Sequence, residues 1–85
     1  MNKKSIFYEI EAERARQDIK WGGSQHDDTH TQTEWISYII KHIGKSIVWP
    51  YDSNKFRRGM IVVAALAVAA IESLDRTKSI IRLYL

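Results

Sequence analysis

The sequence predicts an all-α fold, and three observations support that prediction. The 85-residue chain has one proline and four glycines, which is few breaks for a fold built from many β-turns. Isoleucines recur at three- and four-residue spacing across residues 36–47. Residues 60–71, MIVVAALAVAAI, carry no polar side chain, yet they fall short of the roughly 20 apolar residues that cross a bilayer. We therefore expect a single helical domain, residues 1–85, with a short N-terminal helix followed by a longer antiparallel two-helix hairpin.

The first helix is predicted over residues 3–19. Its apolar residues form a thin stripe, so the helix is expected to depend on docking to the rest of the chain: Ile6, Phe7, Ile10, Ala15 and Ile19. The charged residues between them, from Glu9 to Arg16, are expected to face water. Tyr8 lies on the flank of the stripe, where its role is either half-buried packing or contact with a ligand.

Residues 20–32 are polar and are predicted to form an ordered loop, a kind of segment that is often functional in small domains. Gly22 and Gly23 permit a turn with positive φ or a close backbone approach. The two histidines and two aspartates suggest either a metal site or turn-forming hydrogen bonds and a helix cap: His26, Asp27, Asp28 and His30. No further ligand set supports the metal, so the second interpretation is favoured.

The second helix is predicted over residues 33–48. Thr31 and Glu34 have the spacing of a capping box, and Pro50 is expected to end the helix. Gly44 is a position where another helix can approach. Five isoleucines are expected to form its buried face, widened by Trp35 and Tyr38: Ile36, Ile39, Ile40, Ile43 and Ile47.

The third helix is predicted over residues 54–76, capped by Asp52 or Ser53. Arg57 and Arg58 stand near its start, where positive charge opposes the helix dipole. They therefore need a nearby carboxylate or an anionic ligand, unless they form a solvated basic turn. The apolar stretch 60–71 is expected to pack on the isoleucine face and on a second copy of the chain. The apolar tail, residues 80–85, is expected to pack on this core or on a neighbouring subunit.

Composition and motif content exclude several classes of function. The net charge of +3 suits an anionic small ligand, and the basic residues are scattered without a helix-turn-helix, so neither DNA nor a membrane is an expected partner. The absence of cysteine excludes disulfides and thiolate metal sites and fits a reducing cytoplasm. The N-terminus is amphipathic and charged, unlike a signal peptide. No phosphate-loop, dinucleotide-binding or hydrolase motif is present, and no cofactor is expected.

Three stretches resemble small phage-encoded relatives of the all-α MazG-type nucleotide pyrophosphohydrolases: ERARQDIKWG, the EW that opens the second helix, and FRRGMIVVAALAVAAIESLDR. Enzymes of that superfamily hold Mg²⁺ with an E-x-x-E group on one helix and an acidic pair on the next. Here those segments read KHIGK at 41–45 and RRGM at 57–60. Bases cannot hold the metal, so the resemblance implies no hydrolysis by that mechanism. A divergent enzyme would have to use Glu34, Glu72 and Asp75.

The size, the helix order and a tyrosine followed by a lysine are similar to the phage anti-CBASS cyclic-nucleotide sponges, with Tyr8 and Lys20 in those two roles. Members of that family assemble as hexamers in the host cytoplasm. They sequester the cyclic di- and trinucleotide messengers of bacterial immunity, cyclic GMP–AMP among them, without cleaving them. The resemblance therefore implies a non-enzymatic homo-oligomer that binds such messengers.

The same resemblance implies where the messengers bind. The family's cyclic-dinucleotide pockets lie between paired subunits, with the tyrosine stacking on a base and the lysine on a phosphate, here Tyr8 and Lys20. Trp21 adds an aromatic surface and Gly22 a flexible backbone. Either Arg57 or Arg58 matches the arginine of a separate cyclic-trinucleotide site. A two-fold interface would duplicate these groups for a ligand with two bases and two phosphates. The alternatives are the divergent pyrophosphohydrolase and a helical adaptor that binds a host protein.

Overall fold

The computed structural model describes residues 2–47 and 51–84, with side chains for 2–47 and 51–78. These residues form four helices and no strand: α1 (Lys3–Trp21), α2 (Gly23–Asp27), α3 (Gln32–Lys45) and α4 (Ser53–Tyr84). The predicted all-α class is confirmed. Among the described residues, no helix combines the length and the apolar character that a bilayer crossing requires.

The helix bounds differ from the predicted ones in four places. With 19 residues α1 is longer than α3, which has 14, so the N-terminal helix is not short. The helix α2 occupies part of the predicted loop; it lacks apolar periodicity and is held instead by side chains of α4, since the Ser73 hydroxyl donates to the Asp27 carbonyl. No glycine or proline follows Glu72, and α4 continues to Tyr84. The helix α3 ends at Lys45, before the predicted end at residue 48; residue 48 and Pro50 themselves lie outside the described residues.

Both predicted N-terminal caps are confirmed. The backbone N–H of Thr31 donates to Glu34 Oε1 at 2.9 Å, and the N–H of Glu34 donates to Thr31 Oγ1 at 3.2 Å. This reciprocal pair satisfies two of the free donors at the start of α3. Asp52 serves α4 in the same way, because its Oδ1 accepts from the N–H groups of Asn54 and Lys55.

The central element is α4, with α3 antiparallel to it on one side. The end of α3 meets the start of α4 where Ser46 lies against Gly59. On another side α1 follows the direction of α4, since Glu9 pairs with Arg57 and Arg14 with Glu72. The buried apolar side chains are few and lie mostly on one stripe of α4: Trp35, Ile61, Ala65 and Ala69. The remaining apolar surface of the chain is only partly covered.

The helix α1 docks through its polar face, contrary to the sequence prediction. Glu13 is 2% exposed and Gln17 is also buried, whereas Ile19 is 88% exposed and Phe7 lies in solvent. The reason is that α4 presents basic side chains opposite the acids of α1, and Arg58 pairs with Glu13. Apolar periodicity alone therefore predicts the wrong docking face for α1. Tyr8 is exposed as well, so the prediction of a half-buried packing tyrosine is wrong within one chain.

The isoleucine face of α3 is not the face that packs on α4. Trp35 is buried there, with Ile39 and His42 half-buried beside it. The alanines of α4 leave room for the large indole. The other four isoleucines are exposed, Ile40 to 62%. Ile36, Ile40 and Ile43 lie about 100° round the helix, and Ile47 lies beyond its end at Lys45. We call this set the isoleucine stripe: Ile36, Ile40, Ile43 and Ile47.

The chain exposes more surface than a compact monomer of its mass. Its accessible surface is 6671 Å² for 9.9 kDa, against about 5,200 Å² from the scaling for monomeric proteins. Its radius of gyration is 14.6 Å, against about 12 Å for a compact domain of this length. The excess surface includes the isoleucine stripe and the outer face of α1. The side chains of the tail, and with them its predicted packing, lie outside the described residues.

Of the two glycines, it is Gly59 and not the predicted Gly44 at which another helix approaches closely. A Cβ atom on Gly59 would lie 1.9 Å from Ser46 Oγ and 2.9 Å from Ser46 Cβ, whereas one on Gly44 would meet nothing within 4 Å. Rotation of the Ser46 hydroxyl removes the first clash but not the second. The start of α4 can therefore pack on the end of α3 only where residue 59 has no side chain.

Replacing Gly59 by alanine is therefore expected to lower the free energy of unfolding by about 1–3 kcal/mol, as overpacking does. Urea unfolding measures the change. Gly44→Ala is the matched control and should raise the free energy of unfolding by up to about 1 kcal/mol through helix propensity. In a Ser46→Gly background the cost of Gly59→Ala should largely vanish. A Gly59→Ala variant as stable as Gly44→Ala would show that the helices do not approach in this way.

Candidate functional site

The six residues predicted to form the site fall into two groups at opposite ends of α1. Tyr8 lies near the N-terminal end, where Arg57 and Arg58 of α4 reach Glu9 and Glu13. Lys20 lies at the C-terminal end. The two positions are separated by twelve residues, about 18 Å along the axis and about 120° around it. One copy of the chain therefore does not bring Tyr8 and Lys20 onto the same small ligand.

At the C-terminal end the backbone turns sharply. Gly22 has φ 104°, the left-handed conformation that suits glycine, and its N–H donates to the Asp18 carbonyl at 2.9 Å. The predicted turn with positive φ is thus confirmed. The Lys20 Nζ lies 4.9 Å from the centroid of the Trp21 ring, a cation–π contact, and both side chains are exposed. A cation and an aromatic face are thus presented together to solvent.

Arg57 and Arg58 have carboxylate partners on α1. Arg57 Nη1 donates to Glu9 Oε1 at 2.8 Å, and Arg58 donates to Glu13. Hydrogen bonding from Arg57 lowers the pKa of Glu9. These pairs fit the nearby-carboxylate interpretation of the two arginines. Both guanidinium groups remain about half exposed, so solvent and solutes can still reach them.

A second set of ion pairs surrounds Arg14, whose side chain is only 13% exposed. Its guanidinium contacts Asp18 Oδ1 at 3.0 Å, Asp27 Oδ2 at 3.5 Å and Glu72 Oε1 at 3.3 Å. Burial raises the pKa of Asp27 although Arg14 lies beside it. Arg14 thereby links α1, α2 and α4 through charge.

Next to Arg14 a cavity of about 170 Å³ opens between the four helices, and we call it the ring cavity. In its wall the His30 ring contacts three other rings, with centroid distances of 4.7 Å to His26, 5.1 Å to Trp35 and 5.2 Å to Tyr38, all edge to face. Six aromatic or imidazole rings line it: Trp21, His26, His30, Trp35, Tyr38 and His42.

The polar groups of the ring cavity come from several elements. Arg14, Gln17 and Asp27 line it, and His26 Nε2 lies 3.2 Å from His30 Nε2, one ring donating to the other. Burial lowers the pKa of His42, which favours its neutral form near pH 7. The cavity thus combines aromatic walls with hydrogen-bonding groups.

No group of three or more His, Cys, Asp or Glu residues able to hold a metal ion occurs in the described part of the chain. Asp28 is held instead by Arg76 at 2.8 Å, and Thr29 Oγ1 donates to the His26 carbonyl at 2.7 Å. These contacts agree with the turn-forming interpretation of this segment. Glu34 is engaged in the α3 cap and Glu72 with Arg14, so these acids of the alternative enzyme have structural partners.

Sequence reasoning missed the ring cavity. Trp35 and Tyr38 were interpreted as part of an apolar face, and His42 was assigned no role. The available signal was spacing: His26 and His30 are four residues apart, and the rings at 35, 38 and 42 share one face of α3. The two histidines reach the rings of α3 because of the position of α2, and α2 has no apolar periodicity that would reveal this position in the sequence.

Protonation of Glu13 makes the free energy of unfolding depend on pH in the acid range. Hydrogen bonds from Arg16 and then Arg58 hold the pKa of Glu13 at about 2, against 4.5 for an ordinary glutamate. Because the folded value is depressed, this stabilisation is complete above about pH 4.5 and is lost as the pH falls towards 2. It amounts to at most about 3 kcal/mol. The raised pKa of Asp27 acts in the opposite sense and offsets part of the loss.

Urea unfolding between pH 2 and 7 tests this, with Glu13→Gln as the matched variant. The stability difference between the wild type and Glu13→Gln should shrink as the pH falls below about 4.5, since a protonated Glu13 resembles glutamine. A difference that stays constant over the whole range would show that Glu13 is not held ionised by its arginine partners.

The chain was also compared with known proteins. It matches no protein-family model, and no curated protein or solved structure is significantly similar to it.

Proposed function

We propose that the chain binds cyclic di- and trinucleotides and sequesters them without cleaving them, as a homo-oligomer in the cytoplasm of a phage-infected host cell. The observation that carries the proposal is the exposed stripe on the outer face of α1, formed by Tyr8, Ala12, Ala15 and Ile19. Their spacing puts them on one side of the helix, away from α4. Two small residues at its centre allow a second helix to approach closely.

A second copy of α1 packed antiparallel on this stripe resolves the separation of Tyr8 and Lys20. If the two helices cross near residue 14, Tyr8 of one copy lies opposite the Lys20 end of the other. Two-fold symmetry then creates two composite sites, one at each end of the helix pair. Each site has an aromatic face from one chain and a cation from the other.

Such a composite site has the chemistry that cyclic nucleotides need. Every nucleobase has a π-face, and stacking on an aromatic ring contributes about 1–3 kcal/mol per base. Each phosphodiester is a permanent anion, for which a lysine ammonium is a natural partner. Lys20 supplies the charge and Trp21 beside it adds a second ring. Arg57 or Arg58 is the corresponding partner for a cyclic trinucleotide, since a guanidinium group can contact a phosphate through two N–H donors at once.

The isoleucine stripe supports assembly beyond a dimer. It flanks an apolar groove between α3 and α4, which is lined by Ile36, Ile39, Ile71 and Leu74. Contiguous exposed apolar patches often mark interaction surfaces in soluble proteins. Because this surface is separate from the α1 stripe, the chain offers two different interfaces. Two different interfaces can close a hexamer of dihedral symmetry.

Titration calorimetry with cyclic di-AMP, cyclic di-GMP, cyclic GMP–AMP and cyclic tri-AMP tests the proposal. We expect at least one cyclic dinucleotide to bind, and Tyr8→Ala or Lys20→Ala to weaken its binding by about tenfold or more. Tyr51→Ala and Lys55→Ala are the matched controls, because both side chains are exposed and lie outside the composite site. Heat denaturation should then release the ligand intact.

Two results would count against sequestration. One is the absence of binding heat with all four cyclic nucleotides. The other is recovery of linear or hydrolysed products from the heated complex, which would indicate an enzyme instead.

A further inference from the structure

We propose that the ring cavity is a pocket for one purine or pyrimidine base, with the attached phosphate held outside it by Lys20. This inference rests on the proposed function and deepens it, since it assigns one base of each bound ligand to a place within a single chain. The second base of a cyclic dinucleotide then remains at the surface, where Tyr8 of the other copy can stack on it.

The size of the cavity fits one planar ring system. An apolar cavity of about 150 Å³ holds a benzene ring, whereas pockets for drug-sized ligands start at about 300 Å³. The ring cavity, at about 170 Å³, lies near the lower value. Its walls are ring faces and edges, because His30 meets Trp35 at 87° and Tyr38 at 67°. A flat heteroaromatic ring can contact both faces and edges favourably.

The polar lining favours a base over an all-carbon ring. Asp27 presents a carboxyl group, Arg14 presents guanidinium N–H donors, and His42 presents an imidazole with one donor and one acceptor. A hydrocarbon would form no hydrogen bond with the imidazole of His42, and covering that group without a partner costs free energy. The edge of a nucleobase carries donors and acceptors side by side and can pair with several of them.

The charges at the cavity keep the phosphate out. Arg14 is already surrounded by the carboxylates of Asp18, Asp27 and Glu72, so the interior offers no uncompensated positive charge. Burying a phosphate there would place an anion beside acids. At the mouth the situation is reversed: Trp21 lines the cavity yet is 55% exposed, and the Lys20 ammonium lies over its ring.

Aromatic ¹³C–¹H NMR spectra of the full chain provide the test. The probes are the 5′-monophosphates of adenosine, guanosine, cytidine and uridine, together with cyclic di-AMP and cyclic di-GMP. We expect at least one of the six to shift the ring resonances of His26 and His30. Asp27→Asn should weaken that binding by about tenfold or more, because a charged hydrogen-bond acceptor is lost.

Asp18→Asn is the matched control, and its affinity should stay close to that of the wild type. Asp18 also pairs with Arg14, at 3.0 Å, but it does not line the cavity. Equal losses in the two variants would overturn the pocket, because they would reflect only the weakened ion pair. If Asp27→Asn loses its helical circular dichroism, Trp21→Ala replaces it, since that side chain is half exposed. Unchanged affinity in Trp21→Ala would also overturn the pocket.

The remaining outcomes separate this inference from the proposed function. Cyclic dinucleotides that bind and shift only resonances around Tyr8 would overturn the pocket and leave sequestration standing. Monophosphates that shift the His26 and His30 rings while no cyclic dinucleotide binds would support the pocket and contradict sequestration. No shift of these rings with any of the six probes would overturn the pocket.

Discussion

Replacing Arg14 by methionine is expected to lower the free energy of unfolding by about 3–5 kcal/mol, the usual cost of removing one partner from a buried ion pair. The substitution keeps most of the apolar stem but leaves Asp27 and Glu72 without their shared cation. Asp27 is itself buried, so its charge is costly once its cation is removed. Urea unfolding at pH 7 measures the effect, which is a large fraction of the stability of a domain this small.

Arg16→Met is the matched control, on the same helix two residues away. Arg16 pairs with Glu13, but its own side chain is half exposed and Arg58 remains as a second partner for the acid. Its loss should cost about 1 kcal/mol or less. Equal effects of the two substitutions would contradict the view that charge at Arg14 joins α1 and α2 to α4.

Replacing Ile40 by glutamate is expected to break down the proposed homo-oligomer. Ile40 is more than half exposed in one chain, so the change should leave the intrachain fold intact and alter only contacts between copies. A charge placed in an apolar interface is costly to desolvate. Sedimentation velocity should show a smaller assembly than the wild type, with unchanged helical circular dichroism.

Ser37→Glu is the control for Ile40→Glu, because Ser37 is also exposed on α3 but lies off the isoleucine stripe. Its sedimentation should match that of the wild type. If Ile40→Glu also sediments like the wild type, the isoleucine stripe is not an interface between copies.

The parts of the fold that local chemistry determines were predictable from the sequence. The capping box of Thr31 and Glu34, the cap at Asp52 and the positive φ at Gly22 each depend on residues within a few positions of one another. The all-α class likewise follows from helical periodicity and the scarcity of breakers. Each of these features can be predicted from a short window of sequence.

The docking face of α1 was not predictable in the same way. Its apolar stripe indicated one face, but the acids on the other face find Arg57 and Arg58 across a sequence separation of more than 40 residues. The isoleucine stripe is a second case: its periodicity predicted a buried face, yet within one chain Trp35 and Ile39 contact α4 instead and the stripe is exposed. Hydrophobic pattern alone therefore does not show which face of a helix packs within the chain.

The candidate site likewise has one part that the sequence predicted and one part that it did not. The sequence predicted Lys20 and Trp21 at the start of a loop; they instead form the last turn of α1, beside the predicted turn at Gly22, and both are exposed. The ring cavity depends on α2 bringing His26 and His30 to the face of α3 that carries Trp35. That meeting is a tertiary event, held by Asp28 with Arg76 and by Asp27 with Arg14.

Native mass spectrometry with and without cyclic dinucleotides tests the central claim most directly, because it reports assembly and ligand together. The account predicts a multiple of the 9.9 kDa chain mass that gains intact cyclic dinucleotide, up to one ligand per chain. A species of 9.9 kDa that gains no ligand from any of the cyclic nucleotides would contradict it.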